Sequence, residues 1–190
     1  MKQIVLAITG ASGAIYARTL AEQLAAAGCR THLVVSPHGR QLLREELGIT
    51  DLRALAPQAG ENLVIHPYDD LGDALSSGSV PTDGMAICPA SANTVAAVAA
   101  GLADNLIARA AHVHLKERRP LVVVPRELPM GAIELENLLR LSHAGAVIAP
   151  ACPGFYLGPR TIEDLVNFVV ARLLDLLGVP HALAVRYRPL

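Results

Sequence analysis

The chain is 190 residues long, about one domain's worth of sequence. Its net charge of −1, 3% aromatic content and lack of tryptophan supply neither a basic footprint nor stacking platforms, which argues against nucleic-acid binding. Apolar residues make up 52% and charged residues 17%, with a mean hydropathy of +0.39, yet the apolar runs at 94–103, 121–125 and 144–151 are too short to span a bilayer. That apolarity is therefore read as burial between subunits.

Residues 4–8 form a short apolar run, a buried-strand signal, and 10–13 a turn. Residues 14–27 show helical spacing that Gly28 stops. Residues 31–35 make a second strand, and Ser36-Pro37 opens a second helix by N-cap and first-position proline, running to Leu47 with Gly48 beyond. A third strand follows at 63–66, then a polar Gly/Ser-rich loop at 69–79 with room for a short helix. The fourth strand is 84–88, with a turn at 89–91 and helical segments at 93–100 and 104–115. A fifth strand at 121–124, a helix at 131–142, a sixth strand at 145–149, a loop at 152–159 and a last helix at 161–177 complete the pattern.

Short apolar strands alternating with helices predict an α/β fold of Rossmann-like or flavodoxin-like type, three layers with a parallel sheet between helices. Residues 1–180 read as one domain and 181–190 as a C-terminal tail. Cys29, Cys88 and Cys152 form no CxxC pair and are odd in number, so buried free thiols in a reducing compartment are expected. Met1-Lys2-Gln3 runs straight into the first strand without a signal-peptide h-region, and the expected location is cytoplasmic.

In such folds ligands sit beyond the carboxyl ends of the strands. After the first strand comes Thr9-Gly10-Ala11-Ser12-Gly13, a tight glycine turn whose following helix offers amides and a positive dipole end to a phosphate. The spacing is not GxGxxG, and the second strand ends at Ser36 rather than an acidic ribose anchor; both departures favour a mononucleotide over a dinucleotide. After the fourth strand, Ser91, Asn93 and Thr94 either cap the next helix or bond a ligand. Arg126 and Glu127 leave the fifth strand, where a buried-strand exit has little need of an ion pair. Arg109 and Lys116 are seven apart on one helix, hence on nearly one face. Lys116-Glu117-Arg118-Arg119 alone reads as a solvated helix end. Arg109, Lys116, Arg126 and Arg172 are candidates to converge on a phosphate, and with no DDxxD cluster to hold Mg²⁺ these cations must neutralise it themselves, which suits a monophosphate better than a diphosphate. The seven histidines show no metal spacing and read as structural or exposed.

Taken together, Thr9 to Gly13, Ser76-Ser77-Gly78-Ser79, Leu115 to Leu121, Pro125-Arg126-Glu127 and Pro153-Gly154-Phe155-Tyr156 resemble the UbiX flavin prenyltransferases in order and spacing, over about residues 2–179. The resemblance implies an enzyme that joins a dimethylallyl group from dimethylallyl monophosphate to N5 and C6 of reduced FMN, independently of metal. The product, prenylated FMN, would serve a UbiD-type decarboxylase. It also implies a homo-dodecamer. By position it puts Gly10, Ala11, Ser12, Ser36, Ser91, Ala92, Asn93, Thr94 and Arg126 at the FMN. It puts Ser77, Gly78, Ser79, Arg109, Lys116, Glu127, Tyr156 and Arg172 at the prenyl phosphate, with Ser12, Glu46, Lys116 and Glu127 as the catalytic set. The family's C-terminal aromatic has a loose counterpart in Tyr187. Two other readings stand beside this one: a flavoprotein decarboxylase of the same superfamily, and a non-catalytic FMN-binding protein.

Overall fold

A computed structural model describes residues 1–183; Tyr187 lies outside the described residues. Six strands form one wholly parallel sheet: β1 (Gln3–Ile8), β2 (Arg30–Val35), β3 (Leu63–His66), β4 (Gly84–Ala90), β5 (Leu121–Pro125) and β6 (Val147–Ile148). Their order is β3-β2-β1-β4-β5-β6, the order of doubly wound nucleotide-binding sheets. The direction of winding reverses between β1 and β4, so a crevice opens beyond their carboxyl ends.

Both faces of each central strand are apolar, which is why these strands read as unbroken hydrophobic runs. Ile4, Leu6, Ile8, Leu33, Val35, Val122 and Val124 point to one layer, built from α1 (Ala14–Ala26), α2 (Pro37–Leu47) and α6 (Ile162–Leu176). Val5, Ala7, Val34, Met85, Ile87, Leu121 and Val123 point to the other, built from α3 (Ala92–Ala99), α4 (Leu106–Lys116) and α5 (Ala132–His143). Leu24 and Leu173 are fully buried in the first layer. Truncating either to alanine costs about 2–5 kcal/mol by lost transfer energy and the cavity left behind.

The expected elements are present with ends shifted by a residue or two. The sixth strand is an exception: of the five residues expected, only Val147 and Ile148 pair with β5. Two 3-10 turns at Leu52–Leu55 and Pro57–Asn62 fill a stretch for which the sequence pattern gave no element. Cys29 and Cys88 are buried free thiols, and burial pushes the Cys88 thiol up to about 12; Cys152 is exposed. No helix among the described residues is long and apolar enough to cross a membrane.

Candidate active site

The crevice between β1 and β4 is laced together by Thr9. Its buried hydroxyl donates to the Pro89 carbonyl at 2.8 Å and accepts from the Ser91 amide at 2.7 Å, while its own amide donates to Pro89 at 3.2 Å. One side chain thus fixes both strand exits. From sequence Thr9 is only the start of the glycine turn, because a threonine ending a strand carries no signal of what lies across the sheet.

The turn after β1 is tight for a packing reason. A Cβ on Gly10 would collide with the Cβ of His38 at 2.7 Å, and Gly13 sits at φ 113°, the left-handed region that favours glycine. Ala11 is buried; Ser12 is exposed, its hydroxyl free of protein partners among the described residues. The expected phosphate site on α1 is already occupied by a carboxylate. Glu46, reaching back from α2, accepts from the Gly13 amide at 3.0 Å and the Ala14 amide at 2.8 Å. The physics is that of anion binding at a helix start, but the anion belongs to the protein.

Ser36 caps α2, its hydroxyl accepting from the Gly39 amide at 3.1 Å. Ser91 caps α3, accepting from the Thr94 amide at 3.3 Å with the two hydroxyls 3.0 Å apart. No side chain caps the Ala92 and Asn93 amides among the described residues. The first turn of α3, unlike that of α1, is therefore open toward the crevice. Arg126, leaving β5, crosses β4 and donates from Nε to the Ser12 carbonyl at 3.2 Å. Glu127 follows it, exposed, with one carboxylate oxygen accepting from the Leu128 amide at 3.3 Å. The residues assigned to flavin, with Glu127 and Glu46, thus gather at the carboxyl edge of the sheet.

Glu127 aside, the residues assigned to the prenyl phosphate do not all gather there within one chain. Helix α4 runs antiparallel to the strands and delivers Lys116 to the amino edge, where Leu121 begins β5 and Gly84 begins β4. The Ser76–Ser79 loop descends along α4: Arg109 donates to the Ser76 carbonyl at 3.0 Å, and Gly78 lies so close to Lys116 and Glu117 that a Cβ there would strike both side-chain ends. Lys116 Nζ contacts Glu117 at 2.5 Å, and this ammonium holds the Glu117 carboxyl below the ordinary glutamate range. Arg172 and Tyr156 belong to the opposite layer. Arg172 pairs with Asp175 at 2.8 Å, and Tyr156 meets Phe168 of α6 edge-on with ring centroids 5.7 Å apart. An antiparallel helix of 11 residues separates its two ends by about 16 Å, so Lys116 and Arg126 of one chain sit at opposite edges.

In the run Lys116 to Arg119 the first three residues are exposed, as the charge suggests, and the fourth is not. Arg119 is half-buried and donates to the Gly78 carbonyl at 2.6 Å and the Val80 carbonyl at 2.7 Å. Three histidines are likewise committed. His32 Nδ1 meets His66 Nε2 at 2.9 Å, His66 Nδ1 meets Asp73 at 2.6 Å, and His114 Nε2 meets the Thr82 hydroxyl at 3.0 Å.

A parallel sheet whose switch-point crevice carries hydroxyls, an open helix start and one crossing arginine is that of a mononucleotide-binding flavoprotein, and the family model described as Flavoprotein matches residues 1–174. The flavin prenyltransferase UbiX of Methanothermobacter thermautotrophicus is 43% identical over 189 residues, covering 98% of this chain and 96% of that one. Among solved structures, AnUbiX in complex with FMN and dimethylallyl pyrophosphate superposes with a TM-score of 0.93 at 39% identity, covering 100% of this chain and 98% of that chain. A dodecameric FMN-dependent UbiX-like decarboxylase from Escherichia coli O157:H7 superposes at 0.91 with 40% identity, covering 99% and 100%. The chain belongs to the UbiX family of flavin prenyltransferases within the flavoproteins.

Proposed function

We propose that this protein transfers a dimethylallyl group from dimethylallyl monophosphate to N5 and C6 of reduced FMN, releasing phosphate. The observation that carries the reading is the crevice at the β1/β4 switch point, closed on one side by Arg126 and lined by Ser12, Ser91 and Thr94, in a chain whose full-length relatives are flavin prenyltransferases.

The residues divide the work by position. The first turn of α3 is the anion site of the crevice, because Glu46 already fills that of α1; the Ala92 and Asn93 amides with Ser91 and Thr94 would hold the FMN phosphate. Gly10, Ala11 and Ser36 shape the wall against which the flavin lies. When bound, reduced FMN supplies the nucleophilic ring positions. Ser12 offers an uncommitted hydroxyl to hold or move a proton there, and Glu46 fixes the turn that carries it. Arg126 places a permanent positive charge over the crevice, and Glu127 beside it is a proton donor for the departing phosphate oxygen.

Breaking the allylic C–O bond builds charge on the leaving phosphate. Lys116, Arg109 and the Ser77, Gly78 and Ser79 loop would stabilise it, with Arg172 and Tyr156. Since one chain holds these groups at different edges and in different layers, the complete site is shared between copies. A homo-oligomer, with the dodecamer of the Escherichia coli neighbour as its pattern, supplies the missing halves. These cations do the neutralising work that a metal would otherwise do, and we place the protein in the cytoplasm with a UbiD-type decarboxylase as recipient of the prenylated FMN.

The test is incubation of the protein with FMN, dithionite and dimethylallyl monophosphate, followed by mass spectrometry of the released flavin. A gain of one C₅H₈ unit is expected. Bound FMN without that gain overturns the reading, and a parallel reaction with the diphosphate decides between the two donors.

A further inference from the structure

We infer that Arg119 is a positioning residue for the prenyl-phosphate loop: its guanidinium fork holds residues 76–82 against the end of α4, so that Gly78 backs onto Lys116 and the Ser77 and Ser79 hydroxyls are presented together. The inference rests on the proposed transfer reaction, in which that loop meets the leaving phosphate.

Both terminal nitrogens of the fork are used on the loop. Nη2 donates to the Gly78 carbonyl at 2.6 Å, and Nη1 to the Val80 carbonyl at 2.7 Å and the Thr82 hydroxyl at 3.4 Å. The first two are short, charge-assisted bonds, the strong kind. Arg109 takes the Ser76 carbonyl at 3.0 Å, so guanidiniums of the α4 segment draw three loop carbonyls to one side. Between those anchors Ser77 Oγ and Ser79 Oγ lie 2.8 Å apart, and the Ser79 amide donates to Ser77 Oγ at 3.3 Å.

The lower end of the loop is fixed a second time. His114 is buried, and its Nδ1 bonds the Ala110 carbonyl at 2.8 Å, so Nδ1 carries the proton and Nε2 accepts from the Thr82 hydroxyl at 3.0 Å. The Thr82 hydroxyl therefore donates to His114 and accepts from Arg119. The aim of Arg119 is set by the chain turn before it. Arg118 stands at φ 57°, and the Arg119 amide bonds back to the His114 carbonyl at 2.8 Å. This is the left-handed helix ending that glycine usually provides. It turns the Arg119 side chain under the loop rather than into solvent. Lysine replaces it only in part, because an ammonium on a flexible stem does not hold two carbonyls in one fixed plane.

The experiment compares the wild type with Arg119→Ala and Arg119→Lys in the assembled protein. It reads the KM for dimethylallyl monophosphate, kcat, FMN affinity by fluorescence quenching, and hydrogen–deuterium exchange of residues 76–82 with and without inorganic phosphate. Losing two charge-assisted bonds raises KM at least about tenfold in Arg119→Ala, with a smaller rise in Arg119→Lys. FMN affinity stays within about twofold, because Arg119 bonds only Gly78, Val80 and Thr82 of the loop and none of the residues assigned to the flavin. Phosphate slows exchange of the loop in the wild type and not in Arg119→Ala. An unchanged KM, or a loss of FMN affinity in step with it, overturns the inference, the second because it marks general unfolding. If the wild type forms no prenylated flavin, the transfer reaction falls while the phosphate-dependent exchange still decides the role of Arg119. A wild-type loop insensitive to phosphate overturns the inference directly.

Discussion

The guanidinium of Arg126 donates to the carbonyl of Ser12 at 3.2 Å, joining the exit of β5 to the turn after β1 over the end of β4. The bond closes one wall of the crevice and turns a residue 114 positions away into a neighbour of the glycine turn. Lysine keeps the charge but loses the fork and its fixed plane. Arg126→Lys is expected to weaken FMN binding about tenfold, the cost of one charge-assisted bond, with thermal stability little changed. Flavin fluorescence titration checks it, and an unaltered affinity would remove Arg126 from the flavin site.

Glu46 does for α1 what a capping side chain normally does, from another helix. Glu46→Gln keeps the shape and one acceptor but gives up the charge facing the helix start, and should cost about 0.5–1 kcal/mol. Glu46→Ala leaves the Gly13 and Ala14 amides without a protein partner and should cost about 1–2 kcal/mol. Urea unfolding of the three proteins would show that order. Equal midpoints would mean that the cap carries no stability.

Gly78 needs no left-handed backbone; it needs the absence of a Cβ. The atoms in the way are the ends of the Lys116 and Glu117 side chains, which can swing aside. Gly78→Ala should therefore fold with near wild-type stability yet displace the ammonium, raising the KM for dimethylallyl monophosphate several-fold with FMN affinity intact. A Tm drop of many degrees would place the strain in the backbone instead.

Shared sites can be tested by mixing. Lys116→Ala and Glu127→Gln each should abolish most product formation alone, the first by loss of charge stabilisation and the second by loss of the proton donor, at opposite edges. Co-assembled, a fraction of sites receives the intact edge of each partner, and activity returns to a sizeable share of wild type. Homogeneous mixtures of preformed oligomers that never exchange serve as the control. No recovery in co-expressed oligomers would place both residues in one chain's site.

The buried chain Gln3–His32–His66–Asp73 gives stability an acid limit. Burial, aided by the charges of His66 and Arg30, lowers His32 to about 4. Between its unfolded value near 6.5 and about 4 the unfolded chain binds a proton that the folded chain refuses, so stability falls as pH drops through that window, by roughly 3 kcal/mol at most. Burial raises the Asp73 carboxyl, but hydrogen bonds from His66 and the Leu75 amide outweigh it and leave the value low. Its contribution is present above the unfolded carboxylate value and is lost as pH falls through the lower folded one. Chemical denaturation at pH 7, 5.5 and 4.5 should show the decline, and His32→Gln should flatten it between 6.5 and 4.5.

Strands and helices were legible because each satisfies a local pattern: apolar runs of strand length, Ser36-Pro37 at a helix start, Gly48 past a helix end at φ 69°. Residues 49–62 carry no such period, and their 3-10 turns follow from packing Leu52, Leu55 and Ala59 onto the first-layer core. The residues at the carboxyl edge of the sheet were legible because they directly follow strands. What the sequence concealed were long-range partners. Glu46 meets Gly13 across 33 positions, Arg119 meets Gly78 across 41, and Thr9 meets Ser91 across 82. The direction of α4 was equally hidden: seven residues between Arg109 and Lys116 place them on one face, but only the antiparallel run of the helix shows that the face leads away from the crevice.

That separation of edges sets a counting rule for assembly. On the proposed division of the site, each chain offers a flavin-bearing half at one end and a phosphate-bearing half at the other, so the contact that completes a site joins unlike surfaces. Where that contact is heterologous rather than two-fold, it repeats head to tail, and such a series either closes on itself or continues indefinitely. An open trimer of this kind would hold two finished sites and one orphan half of each sort; a ring of three holds three. Closure is therefore worth one whole active site per ring, and selection for full occupancy acts on the angle between neighbours as directly as on any side chain in the pocket.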